Sequence, residues 1–134
     1  LNRMNMHDVP KAAIETADML PAIAQGAIGI ERRADDARAQ EMLAAIHDGV
    51  TGQRLAAERA FLKELDGSCE TPIAGLAELD GDTLRLRGEV LRPDGSAAHA
   101  DEMSGPVTEG PEMGRKLAQT LLAAAGPGFF DWHG

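Results

Sequence analysis

The chain has 134 residues, of which 43% are hydrophobic, which is enough for one modest folded domain and part of another. It carries 13 basic and 22 acidic side chains, a formal net charge of −9, and its Lys and Arg residues are not clustered. Because phosphate-binding proteins need clustered cations, and because no uncharged stretch, including 19–30, is long enough to cross a bilayer, neither nucleic acid nor a membrane is expected as a partner.

The N-terminal part has weak helix and strand patterns. Residues Lys11–Leu20 predict a short helix that ends at Pro21, because proline cannot continue a helix. In Ala27–Arg33, Ile28 and Ile30 alternate with small or polar residues, which predicts a strand with both isoleucines on one face.

Two helices are predicted to follow. Asp35 is a candidate N-cap for the first, which runs to about His47 and is ended by Gly49. Thr51 is the predicted start of the second, which runs to about Leu65.

One acidic residue lies in the apolar stripe of the second predicted helix. At 100° per residue, Glu58 falls among the bulky residues of that stripe, which are Leu55, Phe61, Leu62 and Leu65. A buried carboxylate without a partner costs several kcal/mol or loses its charge. Glu58 is therefore expected to have a partner, either a cation or backbone N–H groups, in a structural role or directly at a site.

From residue 71 the hydrophobic period changes to two. Ile73–Leu79 predicts a strand that ends in an Asp80–Gly81 hairpin turn, and Leu84–Val90 predicts the next strand. After a turn at 93–95, Ser96–Met103 predicts a polar third strand at the edge of the sheet.

The last predicted helix begins at Gly110-Pro111 and ends at Gly126-Pro127. The aromatic residues in 129–132 are expected to pack on the core. The order of elements predicts an α+β fold, in which a three-stranded antiparallel sheet has its helices packed on one face and is preceded by remnants of adjoining domains.

Cys69 is the residue most suited to covalent chemistry. The four histidines are scattered, so no metal site is predicted. A single cysteine excludes an internal disulfide and fits a reducing, cytoplasmic compartment.

A lone cysteine is most often a small core residue, but the residues just before Cys69, which are Gly67 and Ser68, are small and leave room beside the sulfur. A position just after a helix C-terminus disfavours the thiolate, which suits a thiol that is alkylated once better than one used in every turnover.

Several segments, in order along the chain, resemble the porphobilinogen deaminase family. They are Met19–Glu31 (MLPAIAQGAIGIE) with Asp35-Asp36 after it, Glu58–Leu62 (ERAFL), Gly67-Ser68-Cys69 with Pro72-Ile73, the hairpin, and the last helix from Met113. Ala24 and Ser68 stand where the family usually has glycine, so the backbone freedom of glycine is lost at both positions.

The resemblance implies a tetrapyrrole (heme) biosynthesis enzyme, hydroxymethylbilane synthase, which condenses four porphobilinogen molecules with release of ammonia. Cys69 would carry the dipyrromethane cofactor through a thioether, with Gln25, Gly26 and Ser68 beside it. Arg33 and Arg59 would bind carboxylates or bridge domains, although solvated or structural ion pairs are equally compatible with both.

The resemblance also implies a division of the chain. Residues 1–20 would be a remnant of a second domain, 21–48 a hinge with a strand and helix of a first domain, and 49–134 the cofactor-attachment domain. The family's catalytic aspartate and its substrate-binding cations would be absent from this chain, so it is expected to be inactive alone, whereas the full-length enzyme would be a monomer. The strand at 27–33 would then pair with another copy of the chain or dock on its own surface.

Two other functions are compatible with the sequence. The chain could be an α+β binding or interaction module in which Cys69 is inert packing. A redox switch is the weakest alternative, because the sequence has no resolving cysteine.

Overall fold

The computed structural model describes residues 2–65 and 71–131. Its helices are α1 (Ala37–Ala44), α2 (Gly49–Glu64) and α3 (Gly110–Ala125), with single 3₁₀ turns at Asn2–Met4 and Val107–Glu109. Its strands are β1 (Ile73–Asp80), β2 (Thr83–Leu91) and β3 (Ala98–Pro106). None of the helices in these ranges has the length and apolarity needed to cross a bilayer. The predicted α+β class is confirmed.

The three strands form one antiparallel sheet in the order β1-β2-β3. Ala77 of β1 lies opposite Leu86 of β2, and Leu86 lies opposite Met103 of β3. Residues alternate between buried and more exposed along β1 and β2, as expected when one face of a sheet is covered.

Helices α2 and α3 cover the same face of the sheet. A Cβ atom built on Gly88 would lie 2.6 Å from Cζ of Phe61 in α2 and 3.2 Å from Cδ2 of Leu117 in α3. The absent side chain at Gly88 therefore lets the Phe61 ring lie directly on the strand. The fully buried large side chains are Phe61, Leu84, Leu86, Val90, Leu117 and Leu121.

The two long helices approach each other unusually closely at Gly114. A Cβ atom there would lie 2.4 Å from the carbonyl oxygen of Ala57 and 2.8 Å from the amide nitrogen of Phe61. Because both of these are backbone atoms of α2, only glycine permits this helix–helix distance.

The N-terminal predictions of regular structure were wrong. Lys11–Leu20 is not helical, and Ala27–Arg33 forms no strand; the side chains of Ile28 and Ile30 are 94% and 56% exposed. A strand needs a neighbouring strand to satisfy its backbone, and the described part of the chain places none beside 27–33.

The helix starts were displaced by one or two residues. Asp36, not Asp35, caps α1, because its side chain accepts from the Ala39 N–H while Asp35 is paired with Arg33. α1 ends at Ala44, before the predicted His47. Asp48 caps α2 by accepting from the Thr51 N–H, which lowers the pKa of the Asp48 carboxyl.

One of the three predicted glycine turns or helix ends was misplaced. Gly49 is the first residue of α2 rather than the end of α1. Gly81, with φ +56°, begins the two-residue hairpin loop, because Asp80 still pairs with Thr83. Gly126 ends α3 as predicted.

The predicted packing of the C-terminal aromatic residues is confirmed for Phe129, which is 5% exposed. Its ring makes edge contacts with His99 (5.4 Å) and Phe130 (5.2 Å), and the Arg92 guanidinium lies 5.6 Å from its centroid. Trp132 lies outside the described residues.

Candidate functional site

The segment 21–24 covers the free edge of β1. The amide of Gly75 donates to the carbonyl of Pro21 (3.0 Å), and Ala22 forms a bridge with Ala74. Ile23 is buried in the notch left by the missing side chain of Gly75, where a Cβ would be 2.3 Å from Ile23 Cδ1. This segment thus adds a short extension to the sheet and protects its edge.

Glu58 joins that segment to the sheet. One carboxylate oxygen accepts from the Ala24 N–H (Oε2, 2.9 Å) and the other from the Ala77 N–H (Oε1, 2.7 Å), and the residue is 5% exposed. The prediction that Glu58 has a partner is confirmed. Its partners are two backbone N–H groups and not a cation.

Arg54, one helical turn before Glu58, completes the contact. Its Nε donates to the carbonyl oxygen of Ala77, so the outward-facing peptide groups of that residue bond to two side chains of α2. Edge-strand groups that would otherwise be unpaired next to the helix are therefore satisfied.

The turn that follows has two residues in the left-handed region. Ala24 has φ +56° and Gly26 has φ +81°. The glycine is needed at position 26 for its backbone conformation, since a Cβ there would meet no atom within 4 Å. Ala24 adopts a conformation that glycine prefers, at a position where the sequence has alanine.

Gln25 and Gly26 form one wall of a cavity of about 240 Å³. The facing wall belongs to α2 and includes Thr51, Arg54 and Glu58. A pyrrole cofactor with several carboxylates needs several cations, and among the described residues that line this cavity Arg54 is the one with a cationic side chain. The described residues of this cavity therefore suit contacts with one polar edge of such a group, and they do not make up a complete binding site for it.

Of the predicted site residues, the structure describes Gln25 and Gly26, whereas Ser68 and Cys69 lie outside the described residues. In sequence, Cys69 belongs to the connection between Leu65, which caps α2, and Ile73, which begins β1. Glu58 lies in α2 and accepts from the Ala77 N–H of β1, so it links the two elements that flank this connection.

Arg33 and Arg59 are not brought together. Arg33 pairs with Asp35 at 2.9 Å on the surface, and this hydrogen bond lowers the pKa of the Asp35 carboxyl. Arg59 is exposed on α2. Within residues 2–65 and 71–131, no three His, Cys, Asp or Glu side chains are grouped to hold a metal ion.

A larger, mainly apolar cavity of about 480 Å³ lies between residues 26–30 and the helices α1 and α2. Ile28, Ile30, Leu43, Ile46 and Leu55 contribute to its walls. Ile46 is 70% exposed, so this surface is apolar and open to solvent.

On the opposite face of the sheet, Arg87 binds the segment that leads to the site. It donates to the backbone oxygen (2.9 Å) and hydroxyl (3.1 Å) of Thr16, and it pairs with Glu78 at 2.8 Å. The Arg87 side chain is 14% exposed, and its Nε has no acceptor among the described residues. The segment 16–24 is thus held at both ends, by Arg87 and by Glu58.

Replacing Arg87 by methionine is expected to lower the unfolding free energy by about 1 kcal/mol, because the charge-assisted hydrogen bonds that its largely covered guanidinium donates to Thr16 are lost. Limited proteolysis within 14–20 should also accelerate. Urea unfolding and digestion with thermolysin measure the two effects. Arg85→Met is the matched control, because the pair of Arg85 with Glu102 lies in solvent on the surface and is expected to contribute little to stability. Equal effects of the two substitutions would contradict the prediction.

The sequence did not reveal Arg54, Thr16 or Arg87 as important residues. Arg54 was detectable in principle, because it precedes Glu58 by one turn on the same helix face. Thr16 and Arg87 are 71 residues apart, and nothing in a single sequence connects them.

Two family models match the chain. Residues 53–123 match the porphobilinogen deaminase C-terminal domain, and residues 1–41 match the porphobilinogen deaminase dipyromethane cofactor binding domain. The chain is also 59% identical, over 132 residues, to the porphobilinogen deaminase of Paracoccus denitrificans (strain Pd 1222). That alignment covers 98% of this chain but 42% of the relative, so the chain spans less than half the length of that protein.

Proposed function

The chain belongs to the porphobilinogen deaminase family, and we propose that it is the C-terminal part of a hydroxymethylbilane synthase that carries the cofactor cysteine. The longer enzyme would condense four porphobilinogen molecules and release ammonia. The observation that carries this proposal is the match over 53–123, which includes Cys69. The alternative of a binding module with an inert thiol has no observation in its favour.

In this proposal Cys69 is an anchor. Its sulfur forms one C–S bond with the methylene carbon of a pyrrole precursor, the thiol proton is lost, and ammonia leaves from that carbon. Once attached to Cys69, the dipyrromethane would supply the pyrrole carbon at which the chain is extended. Cys69 would hold the growing chain by the same bond throughout, with Ser68 as its small neighbour in sequence, and Gln25 and Gly26 would border the group with amide and backbone donors.

We propose the domain division 1–20, 21–48 and 49–134 for this chain. Three features support it: α2 begins at Gly49, the two family matches leave residues 42–52 between them, and the apolar surface around Ile28 and Ile46 is uncovered. That surface would pack on upstream residues of the longer protein. The cations that neutralise the substrate's carboxylates would also be upstream, since this chain has a net charge of −9. The chain would be inactive alone, and the full enzyme a cytoplasmic monomer.

The test is to produce this chain joined to an upstream part from the Paracoccus relative and to examine the purified protein. A stable mass increase retained after denaturation, located on the peptide that contains Cys69, is expected. The same protein should give colour with an Ehrlich-type aldehyde reagent, which reacts with pyrroles. Unmodified mass and no colour, in a joined protein shown to be folded, would overturn the proposal.

A further inference from the structure

We propose that Glu58 is a positioning residue whose carboxylate holds the Ala24–Gly26 turn in its left-handed conformation beside β1. The proposal concerns the chain itself and needs no cofactor. Its consequence for catalysis, that Gln25 and Gly26 are kept in place at the cofactor, rests on the proposed function.

The turn needs a restraint because Ala24 is strained. A side chain other than glycine's at φ +56° clashes with its own backbone, at a cost of about 1 kcal/mol. Without an external contact the peptide would relax to an ordinary negative φ. The N–H of Ala24 itself is the group that Glu58 Oε2 binds at 2.9 Å, so the restraint acts directly on the strained residue.

The contacts before the turn do not fix it by themselves. Pro21, Ala22 and Ile23 attach the preceding residues to Gly75 and Ala74, but each of these contacts lies before the strained residue. Beyond Ala24, Gly26 has no neighbour within 4 Å of its would-be Cβ. Among these contacts of the described residues, the bond from Ala24 to Glu58 is therefore the one that acts on the strained residue itself.

A carboxylate suits this task better than its amide. Both oxygens accept a backbone N–H, one from Ala24 and one from Ala77, and bonds to a charged acceptor are about twice as strong as neutral ones. In Glu58→Gln the side chain keeps its shape but offers one acceptor and an NH₂ group. One of the two backbone N–H groups then faces a donor. The substitution therefore tests the hydrogen bonds from Ala24 and Ala77 to Glu58 with little change of shape.

The experiment measures backbone ¹⁵N order parameters of the 134-residue chain. In the unsubstituted chain residues 24–26 should be as ordered as α3, about 0.85, and in Glu58→Gln they should fall below about 0.6 while α3 stays rigid. Glu41→Gln, which neutralises an exposed carboxylate on α1, should leave 24–26 unchanged.

Rescue separates positioning from a general structural role. Adding Ala24→Gly to Glu58→Gln removes the strain and should recover part of the stability lost in Glu58→Gln, whereas adding Ala27→Gly, at an ordinary φ, should not. Ala24→Gly alone should raise the melting temperature by about 4 °C, which can be measured even if Glu58→Gln does not fold. A turn that stays ordered in Glu58→Gln, rescue by neither or both glycines, or no rise in melting temperature would overturn the proposal. An unmodified Cys69 in the joined protein would overturn the proposed function and leave this result standing.

Discussion

Replacing Gly114 by alanine is expected to destabilise the domain by about 3 kcal/mol and to lower its melting temperature by on the order of 15 °C. The new methyl group would lie 2.4 Å from the carbonyl oxygen of Ala57 and 2.8 Å from the amide nitrogen of Phe61. Neither atom can move without shifting α2. Because Phe61 lies on Gly88 of the sheet, a shift of α2 would also disturb the packing of that ring. Thermal unfolding followed by far-ultraviolet circular dichroism measures the change.

Gly49→Ala is the matched control, because it adds the same methyl group to a helical glycine. Position 49 is the first residue of α2, its would-be Cβ meets no atom within 4 Å, and its φ is not in the left-handed region. Alanine there should leave stability unchanged or raise it by up to about 1 kcal/mol. If Gly114→Ala were as mild as this control, the close approach of α2 and α3 would be wrong.

The C-terminal half of the fold could be predicted because its patterns are local. Leu84, Leu86 and Val90 alternate with polar residues over nine positions, and a glycine-containing turn precedes them. Gly126-Pro127 likewise ends α3 by its own backbone preferences. In each case the residues that determine the element lie within it or next to it, so the pattern and the structure agree.

The N-terminal half could not be predicted in the same way. The alternation of Ile28 and Ile30 is real, but alternation states which face is apolar and not whether a neighbouring strand exists. In the described residues none does, and both side chains are exposed. Residues 11–20 are likewise held by a distant contact of Thr16 with Arg87 instead of by helical hydrogen bonds.

At the candidate site, the sequence predicted that Glu58 needs a partner but not which groups provide it. An acidic residue in an apolar stripe indicates that a partner must exist, because burial of a lone charge is too costly. Which partner it has depends on Ala24 and Ala77, which are 34 and 19 residues away. The departure from glycine at position 24 was visible in the sequence, but its left-handed φ and the bond that holds it became visible only in the fold.

If the proposed function holds, Cys69→Ser in the chain joined to its upstream part is expected to abolish covalent attachment of the cofactor and with it hydroxymethylbilane formation. A serine hydroxyl has nearly the same size as the thiol, but it is far less acidic and less nucleophilic, so it does not form the corresponding bond. Intact mass should show the unmodified chain, and the Ehrlich colour should be lost from the protein. Activity, measured as consumption of porphobilinogen, should fall at least 100-fold, roughly what loss of an essential covalent group produces.

Ser68→Gly is the control that separates the sulfur from the loop around it. It changes the neighbouring residue to the one usual in the family and leaves Cys69 intact, so attachment and activity should be retained. A melting temperature within about 3 °C for both variants would show that neither substitution acts through the fold. If Cys69→Ser kept the mass increase or the activity, the anchor would be another residue. If Ser68→Gly lost attachment as completely as Cys69→Ser, the loop conformation, and not the thiol alone, would determine whether the cofactor is held.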